Sequence, residues 1–310
     1  MKEALVGYTG FVGSNLAAAH TFMEQYNSKN IAQSYGTRPD LLVYAGVRAE
    51  KFLANRDPEE DFKTVQEAFA NIQRIQPHRL VLISTVDVYR SPVGVDENTP
   101  IETEGLHAYG ANRYQLEQWV REEYPQALIV RLPGLYGKNI KKNFIYDFIH
   151  VIPAMLKEEK FRELETADKV LAPFYQRQDN GFYKCRPLAR EEEAFLQKYF
   201  RKSGFTALNF TDSRSVFQFY PLSMLWGHVK QALEQELRLL NLATEPIGVE
   251  ELYERLTGKA FVNHTAQTPA FYDFRSIYAK GLGGSKGYLL EKNFLLEDLR
   301  RFVGEMQVST

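Results

Sequence analysis

Ala4-Leu5-Val6-Gly7-Tyr8-Thr9-Gly10-Phe11-Val12-Gly13-Ser14-Asn15-Leu16 runs from a short apolar segment through Gly-x-x-Gly-x-x-Gly into a second apolar segment. A strand, a tight turn and a helix account for that order. The first glycine permits the turn off the strand, the second lets backbone approach a pyrophosphate, and the third lets the helix pack close on a sheet. Phosphates then sit on the free N–H groups of the helix N-terminus. On this reading Gly7, Thr9, Gly10, Phe11, Val12 and Gly13 hold a dinucleotide. An ordinary strand–turn–helix corner uses the same residues and is the alternative.

Outward from this stretch, the pattern predicts a helix over Val12 to His20 and a short strand near Phe22 to Tyr26. The strand ends in Asn27-Ser28-Lys29-Asn30, with no acid where an NAD-preferring site carries one for the ribose hydroxyls. Ser28 and Lys29 there could instead hold a 2′-phosphate, which favours NADP over NAD, with a solvated turn as the alternative; Asn27 beside them joins the cofactor contacts. Asp40 to Val47 reads as a buried strand whose small end residues, Ala45, Gly46 and Val47, let a cofactor lie across it. Pro58 to Ile75 places Phe62, Val65, Ala68, Phe69 and Ile72 on one helical face. Leu80 to Tyr89 is a strand with hydroxyls at its C-terminal end, where open parallel sheets bind ligands. A loop from Ser91 to Leu106, a helix from Ala108 to Glu123 and a strand from Ala127 follow. Strand and helix alternate, which argues for α/β with a parallel sheet.

Composition narrows the class. The chain has 310 residues, 44% hydrophobic and 25% charged, with a net charge of -1. Neither nucleic acid nor a membrane surface is implied as partner. Cys185 is the one cysteine, which excludes an internal disulfide and suits a reducing compartment. The six histidines form no ligand-spaced cluster, so no metal is expected. No apolar run has membrane-spanning length and no secretory signal is expected at the N-terminus, so a cytoplasmic location is expected.

Four pieces in order resemble the extended short-chain dehydrogenase/reductase family, in particular its NAD-dependent epimerase/dehydratase branch. Gly7-x-x-Gly10-x-x-Gly13 is similar to the family's phosphate loop. Ser84-Thr85-x-x-Val88-Tyr89 is similar to the strand that bears its catalytic Ser or Thr. Tyr109-Gly110-x-x-Arg113 is similar to its Tyr-x-x-x-Lys helix, and Arg131-Leu132-Pro133-Gly134-Leu135-Tyr136-Gly137 to its Arg-Pro…Tyr-Gly strand. The resemblance covers mainly residues 1–140. It implies a Rossmann-like, doubly wound parallel sheet over 1–140, and a smaller, mostly helical substrate lobe over 141–310, with strands able to return to the first domain.

The resemblance also implies roles. Tyr109 is the general acid/base, Thr85 its hydroxyl partner, and Arg113 the electrostatic and ribose-binding support. Tyr109, Arg113 and Pro133 join the cofactor contacts. Thr85, Asp87, Asn143 and Arg214 are the substrate-side candidates, Asp87 and Arg214 having structural hydrogen bonds or ion pairs as alternatives. The substrate is a small molecule, a sugar or nucleotide-sugar, and a homodimer is implied by resemblance alone. Arg113 stands where the family carries lysine; it keeps the charge but cannot shuttle a proton, and the swap is not conservative in tight geometry. Val86-Asp87 replaces the Asp-Glu pair of the family's 4,6-dehydratases, which favours epimerisation or keto reduction. A dinucleotide-binding sensor or assembly protein without turnover, and a reductase of a non-sugar carbonyl, are the other readings.

The stretch between Gly13 and Asp40 is short for strand–helix–strand traffic, so one sheet element there is expected to be shortened or missing. Beyond Lys138, residues 143–160 read as helical and apolar, and residues 160–205 as charged and mostly helical. Thr206 to Phe210 and Ser215 to Phe219 read as strands, as does Leu239 to Ala243. Leu222 to Leu239, Val249 to Leu256 and Phe294 to Val303 read as helices.

Overall fold

The computed structural model describes residues 2–179 and 181–309. In chain order it contains β1 (Glu3–Val6), α1 (Phe11–Ala19), β2 (Glu24–Tyr26), β3 (Leu41–Tyr44), α2 (Lys51–Arg56), α3 (Pro58–Ile75), β4 (Leu80–Thr85), α4 (Ala108–Glu123), β5 (Leu128–Leu132) and β6 (Gly134–Tyr136). There follow α5 (Phe144–His150), β7 (Met155–Lys157), α6 (Glu158–Asp168), β8 (Tyr175–Arg177), β9 (Phe182–Cys185) and α7 (Arg190–Ser203). The chain closes with β10 (Val216–Phe217), β11 (Phe219–Pro221), α8 (Leu225–Glu234), β12 (Leu239–Asn241), β13 (Ile247–Gly248), α9 (Val249–Thr257) and α10 (Lys292–Ser309). Two compact units divide it: Met1–Ile140, Val216–Gly248 and Ala270–Asp298 form the first, and Lys141–Ser215, Val249–Pro269 and Leu299–Thr310 the second.

The first unit is built on a six-stranded sheet in the order β12-β5-β4-β3-β1-β2, parallel at every pairing. Burial on both faces explains why these strands read as near-continuous apolar runs. On one face Ala4, Val6, Leu42, Tyr44, Leu80, Leu82 and Ile129 pack with Val65, Ala68, Ile72 and Ile75 of α3 and with Leu116 and Val120 of α4. Fully burying a side chain such as Val65 or Ile72 contributes about 1.5–3 kcal/mol. The alternate residues Leu5, Val43, Val81, Leu128 and Val130 are buried too, and α8 packs on α1 and β5.

The chemistry of α3's start fixes its register. The Asp57 carboxylate accepts from the Glu60 N–H at 3.2 Å, and Pro58 opens the helix where its missing N–H costs nothing. The interval between Gly13 and Asp40 is short in the way its length suggests. β2 has three residues, and a single 3-10 turn, Ile31–Ser34, stands in the β2–β3 connection.

The second unit corrects several expectations. The charged segment after residue 150 carries, besides its helices, the antiparallel sheet β7-β9-β8. It encloses a small core of Leu156, Phe161, Leu164, Leu171, Tyr175, Leu196 and Phe200. The continuous helix read over 143–160 is broken because Val151 takes a φ of 67°, with Pro153 behind it. Thr206 to Phe210 is no strand but a 3-10 turn, Ala207–Phe210. Local bonds win there: Thr206 Oγ1 accepts from Leu208 N, and Asn209 Oδ1 from Thr206 N. In the first unit, the helix read to Leu239 stops at Glu234, where Glu236 at φ 54° turns the chain. Among the described residues no helix is long and apolar enough to cross a membrane.

Candidate active site

The strand order reverses between β1 and β3, so the chain leaves their C-terminal ends in opposite directions and opens a crevice there. Gly7 sits at one wall with φ 91°, and a Cβ on it would stand 2.5 Å from the Ala45 carbonyl oxygen at the other. Gly13 lies in the first turn of α1, and a Cβ there would stand 2.1 Å from the Gly7 oxygen. Two side chains are thus excluded by backbone, and α1 is drawn against the turn. Its N-terminus, capped by Gly10 without any side-chain bond, leaves first-turn N–H groups for an anion. A cradle that two Cβ atoms would fill, opening on a bare helix N-terminus, fits a dinucleotide pyrophosphate. Thr9 and Gly10 are exposed on its rim, Phe11 and Val12 half-buried, and Ala45, Gly46 and Val47 line the β3 side.

At the end of β2, Asn27 Oδ1 accepts from the Lys29 N–H at 2.9 Å, which folds the turn and leaves Ser28 and Lys29 exposed. Among the described residues neither of those two side chains has a hydrogen-bond or ionic partner. An arriving phosphate would displace nothing.

Thr85 ends β4 and Tyr109 opens α4. What brings them together is Gly110: a Cβ there would stand 2.2 Å from the Asp87 carbonyl oxygen, so only glycine lets α4 abut the turn after β4. His107 caps α4, its Nδ1 accepting from Gly110 N at 3.0 Å, and Asn55 Oδ1 accepts from Tyr109 N at 2.9 Å. Burial pushes the Tyr109 phenol up to about 12; Arg113 and the Thr85 hydroxyl oppose that rise, while Asp87 and Asp61 add to it. At neutral pH the Tyr109 phenol is therefore protonated.

Arg113 lies one turn on, its guanidinium 4.5 Å from the centre of the Tyr109 ring. The residue is 4% exposed. Its terminal nitrogens donate to the Asp61 carboxylate at 2.7 and 2.9 Å and to the Arg48 carbonyl at 2.5 Å. The structure therefore places Arg113 beside Tyr109 with its terminal nitrogens spent on protein groups.

Asp87 is held by Lys51 Nζ at 2.9 Å and by the Tyr272 hydroxyl at 3.1 Å. Burial, and then Lys51, hold His107 below its ordinary value, against Asp87. Lys51, Asp61, His107 and Tyr272 carry no signal in the sequence. Asp61 looks like any acid in a helix first turn, and Tyr272 comes from far along the chain with no motif around it.

The remaining candidates fall in both units. Pro133 lies half-buried between β5 and β6. Asn143 and Arg214 belong to the second unit. Asn143, at φ 98°, caps α5 by accepting from Ile145 N and Tyr146 N at 3.0 and 3.2 Å. Arg214 is chelated by Asp212 at 2.9 and 2.7 Å and donates to the Ala266 carbonyl at 2.7 Å, the ion-pair alternative read from the sequence.

A parallel sheet of this order, with a glycine turn after its first strand, defines a Rossmann-type fold. The family described as the RmlD substrate binding domain matches residues 4–173, more than half of the chain, and the chain belongs to it. Solved structures share the fold over their full length. A dTDP-4-dehydrorhamnose reductase from Bacillus anthracis in complex with NADP is 17% identical, with TM-score 0.62, covering 98% of this chain and 99% of the other. RMD from Pseudomonas aeruginosa complexed with NADPH is 15% identical, with TM-score 0.59 and 100% of both chains covered. The UDP-glucose 4-epimerase of Thermotoga maritima, with UDP-glucose, is 14% identical, with TM-score 0.63, covering 100% and 99%. No curated protein matches the chain at the level of sequence. Its fold is that of NAD(P)-dependent reductases, epimerases and dehydratases.

Proposed function

We propose that the protein is an NAD(P)-dependent oxidoreductase that reduces a keto group of a sugar or nucleotide-sugar, with NADP the preferred dinucleotide. The observation that carries this is the convergence of Thr85 and Tyr109 at the C-terminal edge of the sheet, with the phenol held neutral by burial. When bound, the nicotinamide supplies hydride to the carbonyl carbon. Thr85 holds the carbonyl oxygen, and Tyr109 gives that oxygen its proton as the C=O bond becomes C–O; the tyrosinate regains a proton from water. General acid catalysis of this kind is worth roughly 10²–10⁴-fold. The activities of the reductases and epimerases that share the fold support the substrate class. Val86 beside Asp87, in place of two carboxylates, weighs against dehydration. The Lys51 ion pair occupies the one carboxylate that remains.

The unpartnered Ser28 and Lys29 support the NADP preference. A panel of 4-keto nucleotide-sugars, assayed by loss of NADPH absorbance, tests the function; consumption with none of them contradicts it. Lys29→Glu is expected to weaken NADPH by about tenfold or more while leaving NADH nearly unchanged, since one charge-assisted contact to the 2′-phosphate is lost. Equal losses for both dinucleotides would place the phosphate elsewhere.

A further inference from the structure

Asp61 stands on the first turn of α3, where an acid ordinarily faces solvent and the helix dipole. Here it faces inward. Both carboxylate oxygens accept from the Arg113 guanidinium at 2.7 and 2.9 Å, and Asn112 Nδ2 donates to Oδ2 at 2.9 Å. The two charged side chains are 5% and 12% exposed. This is a planar, two-point pairing in low dielectric, the geometry in which a guanidinium is held most firmly. It leaves the guanidinium stacked at 4.5 Å over the Tyr109 ring.

We propose that Asp61 is a positioning residue for Tyr109: it pins Arg113 against the tyrosine ring and balances the charge that would otherwise favour the tyrosinate, so the site gives a proton to a substrate carbonyl rather than taking one from a hydroxyl. The inference rests on the reductase reading above and extends it to a residue outside the motifs. A bare cation 4–6 Å from an acid lowers its ionisation midpoint by about one to three pH units; a neutralised pair does so far less. Two carboxylates raise the Tyr109 phenol, Asp87 more than Asp61, but Asp61 is the one bound to Arg113. Asp87, from the turn after β4, is paired with Lys51 of α2 and bonded to Tyr272. The His107 ring, 6.3 Å away, is kept low by burial. Asp61 is therefore the group whose removal leaves Arg113 uncompensated.

The test is titration of the Tyr109 phenol in the full chain labelled with [13Cζ]tyrosine, its resonance assigned by loss in Tyr109→Phe. The wild-type signal is expected to stay that of the phenol to at least about pH 11. In Asp61→Asn the midpoint falls at least tenfold in ionisation constant. In Asp61→Asn/Arg113→Met, where both charges are gone, it returns to within about threefold of wild type. A folded Asp61→Asn with an unmoved midpoint overturns the proposal, and so does a double variant shifted as far as the single one. Should Asp61→Asn fail to fold, Asp61→Ser, which removes the same charge and leaves Arg113 in place, is read in the same way. The titration needs no turnover, so it decides the role of Asp61 even in a protein that reduces no sugar, and the substrate panel decides the reductase reading separately.

Discussion

Glu117→Gln costs the first unit about 3–5 kcal/mol, the expected penalty for leaving a buried guanidinium without its counter-charge. Glu117 is fully buried and Arg131 is 2% exposed. Arg131 Nη2 lies 2.6 Å from Glu117 Oε2 and Nε 3.0 Å from Oε1. Ser84 Oγ donates to the same carboxylate at 2.5 Å. The far side of Arg131 donates to the Tyr89 hydroxyl at 2.8 Å, and Asn241 Nδ2 donates to that hydroxyl at 3.0 Å. One network thus ties β4, α4, β5 and β12 together beneath the site, and the carboxylate is the only anion bonded to the Arg131 guanidinium among the described residues. Denaturant unfolding followed by tryptophan fluorescence reads this directly, because Trp119 and Trp226 both lie in the first unit. A loss below about 1 kcal/mol would mean that the network is not what holds these elements. Replacing Glu117 and Arg131 together by methionine should recover much of the loss, since a well-packed apolar pair carries no desolvation penalty.

Tyr109→Phe is expected to lower kcat by roughly 10²–10⁴-fold, the range for removing a positioned general acid. Dinucleotide affinity should change by less than about threefold, because the ring and its stacking with Arg113 survive. The wild-type pH profile follows from the phenol's environment. A donor whose ionisation lies near 12 stays protonated through neutrality, so reduction should hold its rate from neutral pH upward and fall only in strong alkali. The reverse oxidation, which needs the tyrosinate, should climb with pH over the same range. Wild-type turnover that Tyr109→Phe retains would move the proton donor elsewhere.

The elements legible in the sequence are those whose signals are local. Pro58 to Ile75 is bounded correctly because Asp57, Pro58 and a 3.6-residue apolar period agree. The sheet is legible because strands buried on both faces are unbroken apolar runs. Gly7 and Gly13 are legible because backbone approach excludes every other residue. The second unit is harder: β7, β8 and β9 are three or four residues long, and charged residues on their exposed faces read as helix surface. The break at Val151 is invisible, since nothing in a valine announces a positive φ. At the site, Thr85 and Tyr109 are found through the resemblance. Lys51, Asp61 and Tyr272 are not, because a carboxylate or phenol reveals its partner only when the chain has brought the two together. Arg214 shows the converse: its charge suggests a phosphate, and the fold gives that charge to Asp212, two residues away.

Every step of the proposed reaction requires a dinucleotide lying in the crevice between β1 and β3, and fluorescence titration with NADPH and NADH measures that most directly. Saturable binding of NADPH, weaker binding of NADH, and at least about tenfold loss of both in Gly10→Asp, which sets a carboxylate against the phosphates, is the predicted result. Wild-type protein that binds neither dinucleotide, or Gly10→Asp that binds both undiminished, would contradict it.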